Sequence, residues 1–240
     1  MLAPREVMVC LARPESVLDP ARRAAARALL TDEERGQLER FRFDRDRDVA
    51  LVSRVLQRRA LSRCTDGAIE PDAWRFTPDP HGRPRVTAPA PSPSLVWNVA
   101  NTVGLVACTV TLGEAVGIDV EARRADAPPE IVDTHFSPSE RTALWDLPGP
   151  DRPRRFVELW TLKEAYLKAR GLGLALPLER FSFDPSTTPP GFVIDPANAD
   201  DPTHWLVAQW WPTPDHCVAL CVHRAGPAPL AIAVHWDDLG

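Results

Sequence analysis

A few residues in the second half of the chain have the types and spacing to do chemistry together. Asp119 and Glu121 sit in the run Ala115-Val116-Gly117-Ile118-Asp119-Val120-Glu121, which alternates apolar and acidic. That alternation reads as a strand, whose period of two puts both carboxylates on one face. Side by side they repel each other unless a cation lies between them, although on an ordinary edge strand both would simply point to solvent. Further along comes Trp160-Thr161-Leu162-Lys163-Glu164-Ala165-Tyr166-Leu167-Lys168-Ala169-Arg170-Gly171. The chain has 28 basic residues, and Lys163 and Lys168 are its only lysines. A lysine is a compact charge that can exchange a proton, whereas a guanidinium stays protonated. A surface helix in a lysine-poor chain would give the same pattern.

Glu164 and Lys168 are four apart on a helix, the favoured order for a routine ion pair. Glu164 is also the third carboxylate that Asp119 and Glu121 need to form an oxygen-ligand Mg²⁺ site. Such a site holds a few carboxylates together with substrate phosphate oxygens. The set suits a diphosphate-containing substrate attacked at phosphorus. The metal and Lys163 would offset developing charge. Glu164 would help take a proton from an attacking hydroxyl, and Lys168 would give one to the leaving phosphate or neutralise it.

The elements around these residues follow from local signals. Glu6 to Ala12 reads as a buried strand. Asp19-Pro20 opens a helix, and Thr31 with Glu34 forms a capping box for the next. A long helix spans about Asp46 to Arg63, with Val49, Val52, Val55 and Leu56 toward a core and Arg47, Arg54 and Arg58 as a basic stripe. A solvated charged face is the usual meaning of such a stripe. Pro78 to Pro84 is a turn-rich loop carrying Arg83, and Leu95 to Ala100 and Leu105 to Thr111 read as strands joined by a turn. A loop with Asp126 to Pro129 follows Glu121. Ser137, Pro138 and Glu140 then cap a helix through Leu144, and a further helix runs from about Phe156 to Arg170, ended by glycine. Five strands close the chain: Leu178 to Phe183, Gly191 to Ile194, Trp205 to Trp211, Cys217 to His223 and Leu230 to Trp236. The order of elements in the first half recurs in the second. This predicts an α+β fold of two similar halves, residues 1–114 and 115–240, related by a pseudo-twofold axis with the active site at their seam.

Composition limits the partners. The apolar fraction of 44% is that of a soluble globular protein, and the net charge of -5 argues against general nucleic-acid binding. The five cysteines, Cys10, Cys64, Cys108, Cys217 and Cys221, include no Cys-x-x-Cys pair. They read as reduced, buried residues of a cytoplasmic protein, with a zinc site at Cys217, Cys221 and a neighbouring histidine as the weaker alternative. No apolar run is long enough to span a bilayer, and the start of the chain lacks a secretory signal pattern.

Gly117-Ile118-Asp119-Val120-Glu121 and Trp160-x-x-Lys163-Glu164-Ala165-x-x-Lys168 resemble the two signature motifs of the Sfp-type 4'-phosphopantetheinyl transferases, in the Trp and Lys-Glu-Ala subgroup. Phe136-Ser-Pro-Ser-Glu140 resembles a third motif. Gly82-Arg83-Pro84 resembles the Gly-Lys/Arg-Pro motif, and Trp97-Asn98-Val99-Ala100-Asn101-Thr102 resembles the family's Phe-Asn-x-Ser-His-Ser segment. The resemblance covers nearly the whole chain in the right order. It implies the pseudo-dimeric fold of the family. It also implies transfer of phosphopantetheine from coenzyme A to a serine of an apo acyl or peptidyl carrier protein, releasing 3',5'-ADP, in fatty acid, polyketide or nonribosomal peptide synthesis. On it, Asp119, Glu121 and Glu164 hold Mg²⁺, or Mn²⁺ in its place, with the coenzyme A diphosphate. Glu164 is the base for the carrier serine, directly or through water, and Lys168 assists the leaving group. Lys163 contacts phosphate. Arg83 and Pro84 lie near the adenosine, and Arg47 or Arg54 near the 3'-phosphate, with Asn101 and Thr102 close by. Asn101 stands where the family has histidine, which implies coenzyme A binding less sensitive to pH. Carrier proteins usually present acidic helices, so Arg123, Arg124 and Phe136 are candidates for docking one. A monomer is expected. A Mg²⁺ nuclease and a non-catalytic carrier-protein binder are the alternative readings.

Overall fold

The structure is a computed structural model that describes residues 2–3, 5–78, 84–89, 94–171, 176–196, 200–224, 226 and 230–239. The chain divides into two compact units, Met1–Gly113 with Pro229–Gly240, and Glu114–Ala228. The last strand belongs to the first unit, although the sequence pattern groups it with the second half.

The first unit begins with β1 (Glu6–Ala12), α1 (Pro20–Ala28), α2 (Asp32–Leu38) and α3 (Asp44–Cys64). It continues with β2 (Arg75–Pro78), β3 (Pro84–Ala88), β4 (Leu95–Thr102) and β5 (Leu105–Leu112). Strand β1 carries an almost unbroken apolar run because it lies inside a four-stranded sheet, between β5 and the chain's last strand, with β4 beyond β5. Strand β11 (Ala231–Trp236) pairs with it in parallel, and β5 pairs antiparallel with Cys10 opposite Cys108. The hairpin β4–β5 turns at Val103 and Gly104, where φ of +84° calls for glycine. Leu51, Val55 and Leu56 of α3 join Cys10, Val106 and Cys108 in one core.

The second unit runs β6 (Val116–Ala122), α4 (Pro129–His135), α5 (Pro138–Trp145), α6 (Arg152–Arg170), β7 (Phe181–Asp184), β8 (Gly191–Ile194), β9 (Trp205–Thr213) and β10 (His216–His223). Its sheet, β6-β10-β9, is antiparallel throughout. Helix α6 covers this sheet and ends at Gly171, whose φ of +71° forms the left-handed cap. Tyr166, Phe181, Phe192 and Trp205 pack edge to face beneath it. In each unit a strand, a long helix, a short strand pair and a hairpin follow in the same order.

Two local expectations change. The segment after Glu121 contains the short helix α4, which the sequence pattern reads only as a loop. A helix of 7 residues is too short to establish a periodic signal. Leu178–Arg180 is a 3₁₀ turn, and the strand starts at Phe181. All five cysteines are free and buried. Among the described residues no helix is long and apolar enough to cross a membrane.

Candidate active site

Strand β6 and helix α6 meet at Gly117. A Cβ there would stand 2.1 Å from the Ala165 carbonyl oxygen and 2.3 Å from the Ala169 nitrogen. Only a glycine lets the strand backbone lie this close to the helix. The contact brings Asp119 toward the face of α6 that carries Glu164 and Lys168.

Asp119 is 5% exposed, and its Oδ1 accepts from Lys168 Nζ at 2.6 Å. Its Oδ2 is buried without a hydrogen-bond partner. Burial raises the Asp119 pKa, and Lys168 opposes the rise. Burial also lifts Glu121 to about 7, with Asp119 adding to the shift. Glu164 is raised by burial and then by Asp119, while Lys168 and His135 pull it down. Burial thus raises all three carboxyls, and Asp119 adds to the rise of both Glu121 and Glu164. Among the described residues no group of three His, Cys, Asp or Glu side chains closes around one point. The all-oxygen donor set and the orphaned Oδ2 fit a hard cation such as Mg²⁺.

Lys163 has a different place from the one expected. It is fully buried, and its ammonium meets Glu140 Oε2 at 2.7 Å and the carbonyl oxygens of Leu178 and Phe181 at 2.8 Å each. An ammonium has three donors, and all three are taken. Burial lowers its pKa, and Glu140 opposes the drop. Lys163 thus ties α6 to α5 and β7 and has no donor left for a phosphate. Glu140 caps α5 through Ser137, as its spacing predicts, and it also accepts from the Phe183 N–H at 2.9 Å. The sequence signals the cap but not the ion pair, which joins residues far apart in the chain.

Of the residues expected at a docking surface, Arg123 and Arg124 are exposed. Phe136 is not available to a partner. It is 0% exposed and stacks on Phe156 at 5.5 Å. Its aromatic body fills the core, so its place in the motif reflects packing.

A cleft of about 600 Å³ opens within the first unit, against α3, β3 and β4. Arg54, Pro84 and Asn101 line it, with Arg58, Glu34 and Trp97. The basic stripe resolves into unlike residues. Arg58 is 1% exposed and forked onto Glu34 at 2.7 and 2.9 Å. Arg47 pairs with Asp44, donates to the carbonyls of Leu38 and Phe41, and does not line the cleft. Among the described residues Arg54 bonds neutral partners, the Ala50 carbonyl at 3.0 Å and Gln37 Oε1 at 3.1 Å, and feels the charge of Glu34 without pairing directly with it. Thr102 ends β4, half-buried, and is not part of the lining. Arg83 lies outside the described residues.

The chain matches two family models. Residues 115–221 match the "4'-phosphopantetheinyl transferase superfamily" and residues 19–111 match "4'-phosphopantetheinyl transferase, N-terminal". A phosphopantetheinyl transferase from a Thraustochytrium species is 30% identical over 232 residues, covering 91% of this chain and 79% of the relative. The Nostoc 4'-phosphopantetheinyl transferase HetI is 30% identical over 193 residues, covering 80% and 77%. A solved holo-[acyl-carrier-protein] synthase from Thermotoga maritima is 23% identical, with a TM-score of 0.37 over 46% of this chain and 62% of that one, too distant to support more. With both family models matched in order and a relative aligned across 91% of this chain, the chain is a transferase that belongs to the 4'-phosphopantetheinyl transferase family.

Proposed function

We propose that this enzyme moves the 4'-phosphopantetheine group from coenzyme A to a serine of an apo acyl or peptidyl carrier protein, with Mg²⁺, releasing 3',5'-ADP. The observation that carries this reading is the crowded acidic set on β6 and α6. Asp119 acts on the charge of both Glu121 and Glu164 there, Lys168 sits on Asp119, and Asp119 Oδ2 has no partner.

Asp119, Glu121 and Glu164 would hold the ion together with diphosphate oxygens. Mg²⁺ or Mn²⁺ supplies a positive centre that offsets charge building on the transferred and leaving phosphates. Lys168 stands beside the same carboxylates and would neutralise the leaving phosphate or protonate it. The cleft in the first unit would take the adenosine end. Arg54, whose hydrogen bonds among the described residues go to neutral groups, would meet the 3'-phosphate. Pro84 and Asn101, which line that cleft, would lie along the ligand's path. Arg123 and Arg124, exposed and basic, suit the acidic helices of a carrier protein.

Incubation with coenzyme A, Mg²⁺ and a panel of apo carriers, read by intact mass, tests this. Wild type should add one phosphopantetheine. Glu121→Ala should lose at least about 100-fold in rate, as removal of a group stabilising transition-state charge does. Binding of carriers without any mass gain would instead identify a non-catalytic binding module.

A further inference from the structure

Helix α6 carries both Glu164 and Lys168, and two contacts fix how it is turned about its axis. One is the close approach to β6, where the backbone of Ala165 and Ala169 leaves no room for a Cβ at Gly117. The other is the side chain of Lys163. At about 3.6 residues per turn, Glu164 and Lys168 lie about 100° and about 140° around the axis from Lys163, and Ala165 and Ala169 about 200° and about 240°. The two residues of the acidic site thus sit on the arc between the two anchors.

The second anchor holds one position. The Lys163 ammonium is bonded at 2.8 Å to the carbonyl oxygens of Leu178 and Phe181 and at 2.7 Å to Glu140 Oε2. The rings of Phe181 and Phe136 close around it, with centroids at 4.4 and 5.8 Å. Glu140 is held as firmly, because Oε2 also accepts from the Ser137 N–H at 2.8 Å and Oε1 from the Phe183 N–H at 2.9 Å. Three donors aimed at three fixed acceptors leave α6 little freedom to rotate or slide. An apolar side chain of the same length would fill the space without specifying an angle. Burying both charges adds little net stability, since the cost of stripping their water offsets their attraction. What the pair supplies is position.

We propose that Lys163 and Glu140 are positioning residues of the transfer. Their ion pair sets the rotation of α6, and with it the place of Glu164 and Lys168 against Asp119. The effect on rate rests on the phosphopantetheine-transfer reading, and the effect on the geometry of the site does not. Mg²⁺ demands near-octahedral oxygen geometry, so a small turn of α6 weakens the hold on the ion. The same turn moves Lys168 off its seat on Asp119 Oδ1, where it bonds at 2.6 Å. Neither positioning residue touches the substrate or the ion; both act through the helix.

Two variants test it, each compared with wild type well below its own Tm. Lys163→Met combined with Glu140→Gln removes both charges, and the glutamine still offers an acceptor to the Phe183 N–H. Glu140→Gln alone keeps the ammonium and should show the same changes to a smaller degree. Lys163 and Lys168 are the only lysines, so lysine labelled with an NMR-active nitrogen gives one ammonium signal from each. The double variant retains only the Lys168 signal, which should shift as its bond to Asp119 changes. Mn²⁺ affinity without coenzyme A, read by electron paramagnetic resonance, should fall about 10-fold. The kcat should fall about 10- to 100-fold with KM for coenzyme A unchanged. A lowered Tm with the Lys168 signal, Mn²⁺ affinity and kcat all unmoved would overturn the proposal, leaving the pair a structural tie alone. If the double variant does not fold, Glu140→Gln decides by the same readings. Wild type that loads no carrier would remove the transfer reading, while the Lys168 signal still judges the positioning.

Discussion

Glu121 shows how a single carboxylate links pH, metal and stability. Its pKa is lifted by burial, then by Asp119, from 4.5 to about 7. The folded, metal-free protein therefore binds a proton there that the unfolded chain has already lost. Its contribution to stability is most favourable below the unfolded value and declines as pH rises through the folded one. A divalent cation replaces the proton, so its stabilising effect should grow over the same window. Thermal unfolding with and without Mg²⁺, from about pH 5 to about pH 8, should show the Mg²⁺ increment in Tm increasing with pH, and Glu121→Gln should flatten that trend. A Mg²⁺ increment that does not vary with pH in wild type would count against a titrating ligand. The two lysines make a related point. Both positions need an ammonium, but at Lys163 the need is three short bonds in a buried site, and at Lys168 it is a charge on Asp119. Their rarity in the sequence marks ammonium chemistry without distinguishing a structural role from a catalytic one.

At the scale of elements, the strand-to-helix contact at Gly117 sets how close Asp119 comes to Glu164 and Lys168. A side chain there meets backbone atoms rather than a flexible side chain, so the neighbours cannot rotate away. Gly117→Ala should cost at least about 3 kcal/mol, the upper end of overpacking, and should weaken Mg²⁺ binding along with stability. Gly36→Ala is the control. It lies in α2 with nothing within 4 Å of the added carbon, and it should be stabilising by about 0.5–1 kcal/mol. Urea unfolding of both variants checks the pair; similar midpoints would show that the contact is not tight. A glycine inside a strand suggests close approach of another backbone, but the sequence does not say which helix approaches.

At the scale of the whole molecule, the chain returns to its first unit at the end. Strand β11 pairs with β1, and the Asp237 carboxylate, 3% exposed, meets Arg59 Nε at 3.0 Å. Asp237 also accepts from the Leu239 N–H at 2.9 Å. Asp237→Ala should therefore destabilise the protein by about 1–3 kcal/mol, the range for losing a hydrogen-bonded charged partner. Arg59 keeps part of its hydration, which limits the loss. Hydrogen exchange should locate the loosening in β1 and β11, while the strands of the second unit keep their protection. Equal loosening in both units would show that the tail does not act locally.

The sequence by itself determined what depends on neighbours along the chain. Strand alternation aligned Asp119 with Glu121, and helical spacing aligned Glu164 with Lys168. Capping boxes marked the starts of α2 and α5, and glycine marked the end of α6. The ordered motifs pointed to the family that the family models and relatives then showed. The tertiary structure decided whatever depends on partners distant in sequence. It buried Lys163 against Glu140 and Phe136 against Phe156. It divided one basic stripe into the paired Arg47 and Arg58 and an Arg54 whose hydrogen bonds among the described residues go to neutral groups. These outcomes turn on burial and on which atoms meet. A side chain's type and spacing state what it can do, and its neighbours in space determine which of those things it does.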